Sequence, residues 1–310
     1  MTVAVYVAIY AGLLLFLVGC LRRIYQYTCT PFHLRWELYP VPHEEPSRVQ
    51  HGGSYFESGE WWLRPQAIHH RGEWIAMFRE IVFLRGLWEF NPRLWLPSFL
   101  FHFGLYLSIV TVGLATAAAA GALIPGVASG RLPSAVFTSS TWIGSAAIVF
   151  VLVGAVWLLM RRVTDPALKN YTKVGDIFNL AFFIGTFACL AGGFFGGAAN
   201  GASFAEVARG ALRFDRGAQI GTVPGLGLIL ASALVAYIPF THMSHFIAKY
   251  FTWHSVRWDD RRNARGGALE SKIAASLRHR PTWAAPHLGA DGKKSWAEIA
   301  ASNPVEEVRK

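Results

Sequence analysis

Eleven histidines are spread over this 310-residue chain, and only three fall inside long apolar stretches. His102 sits in Pro97-Ser98-Phe99-Leu100-Phe101-His102-Phe103-Gly104. His242 and His245 sit in Pro239-Phe240-Thr241-His242-Met243-Ser244-His245. An ionisable side chain at membrane depth is costly and marks a functional position by default. Imidazoles facing each other from two helices at one depth suit bis-imidazole ligation of a haem b, each giving one axial nitrogen. The same residues also suit hydrogen bonds between helices, and spacing alone leaves both uses open. Being three apart, His242 and His245 share one face of a continuous helix, so that one ligates while the other meets a propionate or a quinone. Gly104, Gly225, Gly227, Ala231, Ser232 and Ala233 are small enough to leave room for a porphyrin ring.

The elements that must position these histidines follow from the charge pattern. The chain is 53% hydrophobic and 15% charged, with a mean hydropathy of +0.32. Soluble domains carry about 25% charged residues. Residues 1–21, 94–130, 132–160, 177–205 and 217–248 contain no Lys, Arg, Asp or Glu. Each run is long enough for the roughly 20 residues a transmembrane helix needs. The expected fold is an all-α integral membrane protein, a five-span helix bundle with spans at about 3–21, 95–120, 139–160, 176–197 and 224–247. The first run starts at Met1 without a basic segment and ends in Leu21-Arg22-Arg23, unlike a cleaved signal peptide. Solid apolar blocks also differ from the ten-residue alternation of a transmembrane β-barrel.

Lys and Arg divide 25 to 4 between the two sides of these spans. Cytoplasmic loops carry the positive excess, so the N-terminus is expected outside and the C-terminus in the cytoplasm. The reading is then a membrane domain over 1–255 and a loop-like cytoplasmic tail over 256–310 that docks a partner. A cytoplasmic insertion at about 22–93 has turn signals at Pro40, Pro42, Pro46 and Gly52-Gly53. It also carries an amphipathic helix over Trp74–Arg85, lying in the interface or under the bundle. Ser203 to Phe214 is expected to form a short outer helix.

Other features have plainer readings. Cys20, Cys29 and Cys189 include no C-x-x-C pair, so an iron–sulfur site within this chain is excluded. The net charge of +10 belongs to topology, and no nucleic-acid module accompanies it. Asp176 reads as a helix-dipole partner or cap, with a proton relay as the alternative. Arg161, Arg162, Lys169 and Lys173 read as interfacial anchors, with haem propionates as a second use. Trp61-Trp62, Trp88 and Trp95 read as interface aromatics, and His69-His70 as a solvated pair rather than a metal site. Gly192-Gly193-Phe194-Phe195-Gly196-Gly197 is no phosphate loop, because no Lys follows it and no strand precedes it.

Taken in order, several short motifs resemble the cytochrome b family of the respiratory nitrate reductase gamma subunit. That family includes the membrane subunits of heterodisulfide-reductase-like and sulfite-reduction-linked complexes. The motifs are Tyr25-Gln26-Tyr27-Thr28 after the first span, Leu100-Phe101-His102 in the second and Arg161-Arg162 after the third. Thr172-Lys173-Val174-Gly175-Asp176 opens the fourth, and Pro239-Phe240 precedes His245. The tail Lys294-Ser295-Trp296-Ala297-Glu298-Ile299 and the long insertion are closer to the latter relatives. The likeness covers about residues 3–255. Family members commonly stack two haems, the outer one held by histidines at places where this chain has Val112 and Gly227.

The resemblance therefore implies one b haem near the cytoplasmic face, ligated by His102 and His245, with His242 as a quinone or propionate contact. It implies a membrane-anchoring subunit of a quinone-linked oxidoreductase complex, with no catalysis by this chain alone. Electrons would pass between quinone or menaquinone and a cytoplasmic iron–sulfur or heterodisulfide-reductase-like subunit, beside other membrane subunits of the complex. The location implied is a prokaryotic inner membrane. A haem-free anchor, a small transporter or an assembly protein accounts equally well for five spans and basic loops. It leaves unexplained three membrane histidines at similar depth.

Overall fold

The structure, a computed structural model, describes residues 1–29, 42–49, 57–64, 69–124, 131–195, 204–252, 264–282 and 284–303. The turn signals at Pro40 and Gly52-Gly53, and Pro304 in the tail, lie outside the described residues. In chain order the helices are α1 (Thr2–Thr28), α2 (Pro46–Val49), α3 (His70–Phe83), α4 (Arg85–Phe90), α5 (Pro92–Gly121), α6 (Arg131–Thr164) and α7 (Pro166–Lys169). There follow α8 (Val174–Phe195), α9 (Phe204–Arg213), α10 (Thr222–Tyr237), α11 (His245–Thr252), α12 (Ala268–Leu277) and α13 (Trp296–Ala301). Strands β1 (Ala284–Ala285) and β2 (Ala290–Asp291) form one small antiparallel pair.

Five helices are long and apolar enough to cross a membrane: Thr2–Thr28, Pro92–Gly121, Ala135–Thr164, Val174–Phe195 and Thr222–Phe240. Their termini are set locally. At the start of α5, Asn91 Oδ1 accepts the Leu94 N–H at 3.2 Å, and Pro92 follows it, where no amide hydrogen is needed. Asp165 Oδ1 likewise accepts the Ala167 N–H at 3.0 Å at the start of α7. The outer helix expected between Ser203 and Phe214 is α9.

The fifth span departs from expectation. Instead of a helix over 224–247, α10 ends at Tyr237 and is followed by 3-10 turns over Ile238–Phe240 and His242–Ser244. Pro239 has no N–H for the α-helical ladder, and its ring obstructs the carbonyl four residues back. Thr241 then adopts extended backbone, its hydroxyl donating to the Ile238 carbonyl at 3.1 Å and accepting the Met243 N–H at 3.2 Å. His242 and His245 thus belong to different elements and do not share one continuous helical face, as their spacing had suggested.

The chain divides into two compact units, Met1–Cys20 with Met77–Ser244, and Leu21–Ala76 with His245–Lys310. In the first, α5 packs along α6, α6 on α8 and α8 on α10. Phe101, Ile148, Val151, Leu180, Phe183, Phe187 and Leu234 form the core. Close approach depends on glycine. A Cβ on Gly154 would stand 2.5 Å from Phe101 N, and one on Gly104 would stand 2.7 Å from Val151 N. One on Gly227 would meet Leu190 N at 2.9 Å. In lipid, helices associate by such packing, since no hydrophobic force separates them from the solvent. Gly104 and Gly227 therefore seat neighbouring helices and do not hold open a space for a ring.

At the other end of this unit, Tyr6 and Val5 of α1 pack with Val207 of α9, Ile220 and Leu228. Thr2 Oγ1 donates to Ala218 O at 2.6 Å and Tyr10 Oη to Ala211 O at 2.7 Å, fastening α9 and the segment after it to the first span.

The second unit contains ordered secondary structure in the tail that the sequence reading made loop-like. The reason is turn chemistry. Gly266, Gly289 and Gly292 take positive φ, and Ser295 and Glu298 form a capping box at the start of α13. His43 and Glu44 are buried in this unit, and the His69 N–H donates to the His43 carbonyl at 2.7 Å.

Within α3, Trp74, Phe78, Ile81 and Phe83 are exposed together with Arg71 and Arg79, while Met77 and Glu80 are buried. Glu80 Oε2 accepts the Gly86 N–H at 2.7 Å across the left-handed Leu84. The expected helix exists over His70–Phe83, with large apolar side chains and arginines exposed side by side.

Candidate functional site

His102 lies ten residues into α5, roughly 15 Å along its axis at 1.5 Å per residue. Its Nδ1 is 2.7 Å from the Ser98 carbonyl one turn back. A carbonyl only accepts, so Nδ1 carries the proton, and in the neutral imidazole the lone pair is on Nε2. A histidine ring oriented in this way by its second nitrogen is the arrangement metal-ligating histidines use. Phe101 stacks edge-on to His102, with centroids 5.4 Å apart, and to Phe183 of α8 at 4.9 Å. These contacts fix the level of His102 in the bundle.

His242 is placed differently. One turn of α8 before Phe183 lies Asn179, which is 6% exposed. Tyr237 Oη donates to Asn179 Oδ1 at 3.1 Å, which turns the amide nitrogen toward His242 Nε2, 3.4 Å away. The same imidazole nitrogen is 3.5 Å from Asp176 Oδ1. Asp176 Oδ2 accepts the Lys173 N–H at 3.0 Å and pairs with Arg162 at 3.5 Å. A neutral His242 accepts from Asn179, whereas a protonated one pairs with Asp176. One nitrogen thus faces both a donor and an acceptor.

The helix-start role expected for Asp176 is present in its bond to Lys173 N–H, and Arg162 is its ion-pair partner. Arg161 pairs instead with Asp165 at 2.6 Å. His245 opens α11 in the second unit and is exposed. Among the sequence candidates, the structure links His242 with Asp176 and Arg162, and it sets His102 at least one helical turn deeper. His69 and His70 are engaged locally: His69 Nδ1 accepts the Gly72 N–H at 3.1 Å, and His70 pairs with Glu73 at 3.0 Å. Among the described residues, no three His, Cys, Asp or Glu side chains are grouped to hold a metal ion. A haem needs only two axial nitrogens, so this grouping does not bear on it.

No family model and no curated protein matches this chain.

Asn179 and Tyr237 were not singled out from sequence. Asn179 carried a usable signal, an amide inside a 29-residue run without charge, where an unpaired polar group is costly. Tyr237 carried none, since tyrosines near span ends are ordinary.

Proposed function

We propose that this protein is the membrane-anchoring cytochrome b subunit of a respiratory redox complex, holding one b haem with His102 as an axial ligand. The observation that carries the reading is the Nδ1–Ser98 carbonyl hydrogen bond, which leaves the His102 lone pair on Nε2 at a level inside the spans. The donor chemistry fits haem iron, which takes neutral imidazole nitrogen. His245 is the second ligand in this reading, as the family resemblance implies. The engagement of His242 Nε2 with Asn179 and Asp176 favours leaving that residue to a polar role. When bound, a b haem supplies a one-electron carrier. The chain supplies the ligands, the ring packing of Phe101 against His102 and Phe183, and a polar cluster at the ends of three helices.

In this reading electrons pass between membrane quinone and a cytoplasmic iron–sulfur or heterodisulfide-reductase-like partner. The chain sits in a prokaryotic inner membrane with its N-terminus outside, the side that the basic loops avoid. The test is a reduced-minus-oxidised spectrum of the purified protein, with haem quantified as the pyridine haemochrome, for wild type and His102→Ala. A b-type spectrum at about one haem per chain, lost in the variant, is expected from a single bis-imidazole site. Wild-type protein without a Soret band, prepared so as to retain cofactors, refutes the reading and leaves a haem-free anchor or transporter.

A further inference from the structure

We propose that the face formed by Phe178, Asn179, Tyr237 and His242, with Asp176 behind it, is the binding site for a quinone head group. The inference rests on the quinone-linked reading above and deepens it by naming the residues that hold the ring. A quinone head group is flat and π-rich and carries two carbonyl oxygens that accept hydrogen bonds. Its reduced form has two hydroxyls that must lose protons. A site for it needs an aromatic wall and a side chain that can hydrogen-bond one of its oxygens.

Both are present. Phe178 and Phe182 stand against Tyr237, with centroids 6.0 and 6.1 Å away, and against each other at 5.8 Å. Phe178 is 53% exposed at the end of α8, so its ring is accessible to a molecule arriving within the bilayer. His242, with 63% of its side chain exposed, supplies an imidazole within reach of an arriving ring. Asp176 stabilises the protonated imidazole, and Asn179 stabilises the neutral one. Arg162 and the Lys173 N–H are the other groups that face this carboxylate. Tyr237 keeps the Asn179 amide in the orientation that serves His242. The ring stacks on Phe178, and one oxygen meets His242. This places the site at the end of the spans where His242 lies, about one helical turn from the level of His102 along α8.

The experiment uses the full-length protein in lipid nanodiscs, photolabelled with an azido-substituted menaquinone analogue bearing a short isoprenoid tail. Labelled peptides are mapped with and without excess unlabelled analogue. Competed label is expected on peptides containing Phe178 or His242. Losing one hydrogen bond worth about 1.4 kcal/mol lowers affinity about tenfold, so His242→Ala should need about tenfold more probe for equal labelling. Phe178→Ala, at an exposed position whose loss spares the core, serves as the second variant and should weaken labelling similarly. Label that maps elsewhere, resists competition or is unchanged in both variants overturns the site. The haem spectrum of the same preparation separates the two ideas. Haem without competed label sinks only this site, whereas label without haem sinks only the cytochrome reading.

Discussion

Replacing Gly154 by alanine tests the packing that sets the height of His102. The added methyl would lie 2.5 Å from Phe101 N and 2.8 Å from both its Cα and Cβ, where ordinary contacts are 3.4–4 Å. The shortfall is about 0.9 Å, and the obstructing atoms belong largely to the main chain of α5, which cannot rotate away. Helices α5 and α6 must therefore separate or bend, and overpacking of this kind costs about 1–3 kcal/mol. Alanine recovers about 0.5–1 kcal/mol of helix propensity, which leaves a net loss of up to about 2.5 kcal/mol. Gly113→Ala is the matched control, because no atom lies within 4 Å of its added methyl and only the propensity gain remains. The two variants should thus differ in sign when unfolding is followed by far-UV circular dichroism during titration with SDS in mixed micelles. Equal midpoints for Gly154→Ala and Gly113→Ala would refute the close approach of α5 and α6, and with it the placement of Phe101 and His102.

Tyr6 is fully buried, and its hydroxyl has no hydrogen-bond partner among the described residues. Tyr6→Phe should therefore be neutral or stabilising by up to about 1 kcal/mol in the same titration; a clear loss would mean that the hydroxyl is bonded. Glu80→Ala removes the acceptor of the Gly86 N–H and should cost about 1–3 kcal/mol, with increased amide exchange localised to 84–90. In the tail, the N–H groups of Lys294 and Lys293 hold the Asp291 carboxyl below its ordinary range, and the Ser295 N–H and hydroxyl do the same for Glu298. Both groups favour the folded tail while ionised. Their contribution is complete above the ordinary carboxylate range of about 4 and declines as pH falls through the lowered values. Pepsin cleavage within 278–302 should accordingly accelerate as pH drops below about 4. Ser295→Ala should weaken that acceleration, and a pH-independent rate in the wild type would contradict the assignment.

Much of the architecture was legible because hydropathy is a property of each segment by itself. A bilayer about 30 Å thick demands some 20 consecutive apolar residues, and five charge-free runs meet that demand whatever they pack against. The helix within the insertion was readable from the helical spacing of its apolar residues. Pro239 was visible too, and its removal of a backbone donor is local chemistry. What it does to the histidines is not: whether the chain resumes α-helix at once or makes two 3-10 turns depends on the partners Thr241 finds.

Composition by itself thus determined five helices long and apolar enough to cross a membrane. The tertiary structure decided what each small or polar residue does among them. Gly104 and Gly227 look like space in sequence, but in the bundle they are points where two backbones touch, since a missing side chain is filled by the nearest helix. Glu80 looks like the wet side of an amphipathic helix, yet it is turned inward by a hydrogen bond to an amide six residues away. His242 and His245, three apart along the chain, were separated into different elements. His242 was joined to Asn179, 63 residues distant. Such pairings arise where the ends of several helices converge, and no single helix encodes them.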